Sequence, residues 1–173
     1  MKIRIALVAT AFWVGLCGVA ISADSMIIPM KNAKGESVGE AKLTQTPNGV
    51  LIQATLSKLP PGEHGFHIHA VGKCEPPFES AGDHFNPDTK EHGYLDPEGQ
   101  HVGDLPNVHV PESGTLKIDI LAAQVGLKDG QNHLLDKDGA ALLIHAKPDD
   151  YQSQPSGNAG DRIACGVIGT PAL

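Results

Sequence analysis

The chain has 173 residues, with 13 basic against 20 acidic side chains and a formal charge of −7 when its nine histidines are neutral. That length is one domain's worth, enough for a single sizeable core. The acidic balance excludes nucleic acid as a natural partner.

In chain order, the first segment reads as an address rather than as fold. Lys2 and Arg4 precede an uncharged run from Ile5 to Ala23 that ends in Ile21-Ser22-Ala23, the pattern of a cleaved export signal. The competing reading is a retained membrane anchor, because the run is just long enough to span a bilayer. Leu16 immediately before Cys17 argues against lipid attachment at that cysteine. Removing residues 1–23 leaves a mature domain over 24–173 with no stable membrane insertion expected. Lys2 and Arg4 leave with the leader and no carboxylate does, so the mature chain carries 11 basic residues and a charge of −9. Trp13 also leaves, and the remaining cysteines are Cys74 and Cys165. Two cysteines in an exported chain suggest one disulfide.

Short runs of branched apolar residues follow, separated by glycine, proline and aspartate: 26–31, 38–44, 50–56, 65–70, 114–121, 140–146 and 162–168. None keeps a helical period, whereas Leu116-Lys117-Ile118-Asp119-Ile120 alternates with period two. The chain is therefore expected to be all-β, a sandwich or barrel. Two segments break the pattern, between Cys74 and Asp104 and between Lys147 and Asp161. Loops so long within one domain are functional or disordered, and the first is crowded with histidine.

His67 and His69 bracket Ile68 in an expected strand, so both imidazoles leave one face while Phe66 and Ile68 point into the core. The loop adds His84, His92, His101 and Asp104, and His145 ends the apolar run 141–144. Three imidazoles plus one carboxylate suit a tetrahedral zinc ion with no open position. His145 is placed to complete a second site begun by His67 and His69. His64, His109 and His133 are read as structural, His64 through a hydrogen bond in the turn after Pro60-Pro61-Gly62.

The strings "GFHIH", "SAGDHFNP", "HGY", "HVGDLPN", "LLIHAKPDD" and "GNAGDRIACGVIG", in this order, resemble the copper/zinc superoxide dismutases over residues 26–169. The resemblance implies a Greek-key sandwich or barrel of about eight antiparallel strands with two long functional loops. It implies copper on His67, His69, His84 and His145, and zinc on His84, His92, His101 and Asp104, one ion of each per chain. His84 would bridge the two ions. Asp149 would be the carboxylate joining a copper histidine to a zinc histidine, although Asp150 is equally available in sequence. Cys74 and Cys165 would form the family's intrasubunit disulfide, and Arg162 would guide the substrate. The implied reaction is dismutation of superoxide to O₂ and H₂O₂ in the periplasm, protecting against extracytoplasmic superoxide, with Arg162 and His84 as catalytic residues. The alternative is a copper-binding or copper-delivery protein on the same scaffold. A homodimer is left open, with no interface assigned.

The chain departs from the family in three places. Asp161 stands before Arg162 where many members have a small neutral residue, and could either orient the arginine or partly cancel it. The 147–161 loop is short and carries "YQSQPS" in place of a charged insertion, leaving Lys147 a weak candidate for steering. The segment from Cys74 to His84 is short as well.

Overall fold

The computed structural model describes residues 24–169, so the leader assigned to residues 1–23 lies outside the described residues. Eight strands form one sheet: β1 (Ser25–Asn32), β2 (Ser37–Thr46), β3 (Gly49–Leu56), β4 (Gly62–His69), β5 (Asp104–Val110), β6 (Leu116–Ala122), β7 (Ala140–His145) and β8 (Arg162–Ile168). All pairings are antiparallel, in the order β5-β4-β7-β8-β1-β2-β3-β6. The two edge strands, β5 and β6, approach each other without a hydrogen-bonded ladder, which leaves the barrel nearly closed. The β3–β4 and β6–β7 connections each cross between its halves, giving the expected Greek-key order. Among the described residues no helix is long and apolar enough to cross a membrane.

The seven expected strands are all present, and β5 is an eighth within the segment that followed the histidine loop. Pro106 concealed it, because a proline ordinarily demotes a strand. β5 is an edge strand, where a missing N–H costs no ladder bond, and Pro106 is exposed while Leu105, Val108 and Val110 enter the core. Residues 123–139 form a third long connection, beyond the two segments that break the apolar pattern. It behaves as part of the fold, since Val125, Leu127 and Leu134 are buried in the main core.

The strand that matters most for the site is β7, because all six of its residues are buried. Ala140, Leu142 and Ile144 face the barrel interior with Phe66 and Ile68 of β4. Ala141 and Leu143 face outward against Phe78, Ala81 and Cys165. A strand covered on both faces reads as a continuous apolar run instead of an alternating one, which explains Ala141-Leu142-Leu143-Ile144. The cover is the loop after β4, drawn onto the barrel by the disulfide between Cys74 and Cys165, whose Cα atoms are 5.7 Å apart. Their sequence separation is 91, and closing a loop of that length contributes about 4–5 kcal/mol in the chain-entropy treatment. Chemical denaturation of the metal-free protein should show a loss of that order in Cys74→Ser/Cys165→Ser. A change below about 1 kcal/mol would mean that the cross-link does not constrain the unfolded chain.

Candidate metal centre

The site is built where β4, β7 and two loops meet. His67 and His69 leave the face of β4 opposite Phe66 and Ile68, as their spacing requires, and His145 ends the neighbouring β7. A bulge between His64 and Phe66 leaves Gly65 against the site. A Cβ at Gly65 would stand 3.2 Å from the His67 ring and 3.5 Å from His145, so a side chain there would crowd both histidines. The loop returns to β4 through a ring of backbone hydrogen bonds: the Phe85 N–H donates to Ile68, Gly103 to Phe85, and Ile68 to Gly103. This ring fixes His84 beside His69, and it holds His101 and Asp104 close to the same strand.

Two groups result, and His84 belongs to both. His67, His69, His84 and His145 each offer a ligand atom within 4.8 Å of the others, and His84, His92, His101 and Asp104 do the same. All seven side chains are buried. The fold thus gathers His67, His69, His84 and His145 in one group and His84, His92, His101 and Asp104 in the other.

Hydrogen bonding sorts the imidazole nitrogens. The His69 Nδ1–H donates to the Gly82 carbonyl at 2.9 Å, and the His145 Nδ1–H donates to the Gly160 carbonyl at 3.1 Å. The His67 Nε2–H donates to Asp149 Oδ2 at 2.9 Å. The nitrogens left without a protein donor or acceptor role are His67 Nδ1, His69 Nε2 and His145 Nε2. His69 Nε2 and His145 Nε2 lie 3.3 Å apart, a distance at which two lone pairs repel unless a cation lies between them. His67 Nδ1, His84 Nε2 and His92 Nδ1 are buried with no hydrogen-bond partner. Buried polar atoms are rarely left so, and three in one site fit a metal-ligating set.

In the second group, Asp104 Oδ2 accepts the backbone N–H groups of Gly93 and His101, each at 3.0 Å. Its Oδ1 faces His84 Nδ1 at 2.8 Å and His101 Nδ1 at 3.4 Å. His92 Nδ1 is 3.1 Å from Asp104 Oδ2, close but without hydrogen-bond alignment. Asp149 completes the arrangement, because its Oδ1 accepts the His92 Nε2–H at 3.0 Å while Oδ2 holds His67. One carboxylate therefore spans the two groups. Asp150 does not compete: it is exposed and caps a turn through the N–H groups of Gln152 and Ser153.

The environment sets the charge of each group. Burial lowers His67 from its ordinary value, lowers His69 well below it, and brings His84 and His145 to about 4. These histidines are neutral at physiological pH, as metal ligation requires. Burial also works against charge on His92, but Asp104 and Asp149 outweigh it and raise the group to about 9. Burial acts to raise Asp104 and Asp149, yet their histidine partners hold both well below the usual carboxylate range.

Several supporting residues carried no signal in the sequence. Asn107 grips the Asp149 backbone from both sides, donating Nδ2–H to its carbonyl at 2.8 Å and accepting its N–H at 2.9 Å. The Tyr151 hydroxyl accepts the Asn107 N–H at 2.8 Å, and the Tyr94 hydroxyl donates to the Asp104 carbonyl at 2.9 Å. Gly157 has φ 65°, and a Cβ there would overlap Asp149 Oδ1. "HGY", "HVGDLPN" and "GNAGDRIACGVIG" contain three of these residues, Tyr94, Asn107 and Gly157, but spacing alone gives them no role. His64 is structural as expected, with ring nitrogens 2.8 and 2.9 Å from the His145 and Pro60 carbonyl oxygens. His109 is exposed, and His133 Nδ1 lies 3.3 Å from the Gly130 carbonyl oxygen.

Arg162 begins β8 beside the open side of the first group. Its guanidinium donates to the Phe78 carbonyl at 2.6 Å and to the Gly82 carbonyl at 2.8 Å. Both acceptors belong to the disulfide-tethered loop, so the loop that covers β7 also aims the arginine.

An antiparallel barrel that places two fused histidine groups against an arginine-lined pocket defines a two-metal protein. The family profile of the copper/zinc superoxide dismutases matches residues 37–168. A copper–zinc superoxide dismutase of Aquifex aeolicus is 50% identical, covering 90% of this chain and 97% of that one. Another from Caulobacter vibrioides is 42% identical over 80% of this chain and 82% of that one. Among solved structures, a superoxide dismutase-like protein from Bacillus subtilis superposes with a TM-score of 0.80 at 40% identity, covering 85% of this chain and 99% of its own. The Brucella abortus Cu/Zn superoxide dismutase gives 0.68 at 29% identity, covering 84% and 99%. The chain belongs to the copper/zinc superoxide dismutase family.

Two measurements test the centre. His92 raised to about 9 carries a proton on both nitrogens at pH 7, and an ion bound at Nδ1 must displace one. Zinc binding to the metal-free protein should therefore release about one proton at pH 7, and its affinity should rise with pH up to about 9; calorimetry in buffers of different ionisation enthalpy reads both. Release of none would place His92 outside the ligand set. Asp149→Asn can accept from only one of its two imidazoles, and zinc affinity by competitive chelation should fall about 10–100-fold.

Proposed function

We propose that this protein is a periplasmic superoxide dismutase, with copper held by His67, His69, His84 and His145, and zinc by His84, His92, His101 and Asp104. The observation that carries this reading is His84, a single buried imidazole that belongs to both groups, with Nδ1 beside Asp104 and Nε2 free of any hydrogen-bond partner. Four imidazole nitrogens with one open side suit a redox-active copper ion, and three imidazoles with a carboxylate suit zinc. The chemistry copper supplies in such a group is a one-electron couple, through which one superoxide is oxidised to O₂ and a second, with two protons, is reduced to H₂O₂.

The chain's own residues do the rest. Arg162 presents its guanidinium at the pocket and attracts the anion. His84 lines that pocket, and its Nε2, which has no hydrogen-bond partner, would hold a proton between the two half-reactions. Asp104 keeps His84 in place through Nδ1, and Asp149 fixes His67 and His92 through their outer nitrogens. The export signal assigned to residues 1–23 and the Cys74–Cys165 disulfide support an oxidising compartment outside the cytoplasm. His67, His69, His84 and His145 lie within reach of one another with Arg162 beside them, which supports dismutation over copper delivery.

The test is superoxide decay catalysed by the 24–173 protein loaded with one copper and one zinc. A rate constant on the order of 10⁸ M⁻¹s⁻¹ or more is expected, and a negligible rate with both metals bound would leave copper handling as the function. Metal analysis should find both ions depleted in His84→Ala and mainly copper depleted in His145→Ala. Full occupancy in His84→Ala would remove the bridge.

A further inference from the structure

The pocket over the first histidine group has a charge pattern that opposes an incoming anion. Its lining holds three carboxylates, Glu79, Asp83 and Asp161, against one guanidinium, Arg162. The three acidic residues are exposed, while the Arg162 side chain is only 14% exposed. Lys147 packs beside Gly160 but does not line the pocket. Burial at the base and carboxylates at the rim mean that an approaching anion meets the negative charges first.

The sequence left two roles for Asp161, and the geometry chooses between them. Arg162 is oriented by the Phe78 and Gly82 carbonyl oxygens, and its nearest carboxylate is Glu79 Oε2 at 4.0 Å. Among the described residues it makes no hydrogen bond or ion pair with Asp161. Asp161 therefore brings charge without orientation. The rim charges line the pocket that a ligand enters, so screening over roughly 8 Å at physiological salt weakens them far less than the remote surface charge.

We propose that Asp161, together with Asp83 and Glu79, restricts anion entry to the metal pocket and makes it selective for small monoanions. A monoanion meets the opposing potential once and a dianion such as hydrogen phosphate meets it twice, so the rim protects the metal from polyvalent ligands at some cost in encounter rate. The identity of the natural anion rests on the dismutase reading; the direction of the effect rests on the pocket alone.

Azide is a suitable probe, because its binding to the copper- and zinc-loaded protein can be followed by copper absorbance and electron paramagnetic resonance. Wild type, Asp161→Asn and Asp161→Asn/Asp83→Asn would be compared at low and physiological ionic strength set with perchlorate, along with superoxide decay per bound copper. At low salt Asp161→Asn should tighten azide about two- to threefold and the double variant further, the gain shrinking as salt rises. No gain at low salt, or a gain that salt leaves unchanged, would overturn the proposal. The two readings fail separately: azide gains with negligible superoxide decay would remove the dismutase assignment and leave the rim's role intact. Rapid decay without azide gains would do the reverse.

Discussion

The centre depends on one carboxylate that need not touch a metal. Asp149 accepts from His67 of one group and His92 of the other, and each acceptance fixes which ring nitrogen remains free. Without it, His67 could turn and His92 could present either nitrogen to Asp104. A buried carboxylate pays for desolvation only when its lone pairs are used, and here they are. Oδ1 also accepts the Tyr151 N–H at 2.6 Å, while Asn107 clamps the backbone on both sides. The position of the proposed metal ligands therefore traces back to hydrogen bonds between the second long loop and the edge strand β5.

That dependence explains why irregular loops can form a precise site. The segment from residue 70 to 103 has almost no regular structure, and by itself would be costly to order. It is tied at four places: the disulfide to β8, the Phe85–Gly103–Ile68 ring to β4, the Arg162 bonds to Phe78 and Gly82, and the His84, His92 and His101 contacts with Asp104. These ties are far apart in sequence, so the loop is ordered by the finished barrel rather than by local preference. Bound metal would add a further tie that the unfolded chain lacks.

What could be read from the sequence follows the same division. The strands were legible because branched apolar runs and period two are local signals, and His67 and His69 were legible because a strand's alternation fixes their common face. The proposed metal sets rest on a resemblance spread over six strings, and the residues of each set lie together in the fold. β5 was hidden by Pro106, since a rule for central strands does not hold at an edge. Asn107, Tyr151 and Tyr94 were hidden because their contacts cross from β5 to the loops, and no spacing encodes a contact between residues 42 or 44 positions apart. The choice of Asp149 over Asp150 likewise required the fold, which buries one and exposes its neighbour.

Burial links the fold to the chemistry. The β4 face carrying His67 and His69 is covered by loops while its other face lies in the core, and this double cover lowers the proton affinity of the histidines it encloses. Neutral imidazoles packed against one another can be tolerated, whereas protonated ones at the same distances would repel; the His67 and His84 ring centroids are only 4.1 Å apart. The barrel thus favours the protonation state that binds metal before any metal arrives. His92 is the exception, held cationic by two carboxylates, and it lies on the side of His84 where an ion would replace its proton. The site is prepared on one side by desolvation and on the other by charge, with His84 at the boundary between them.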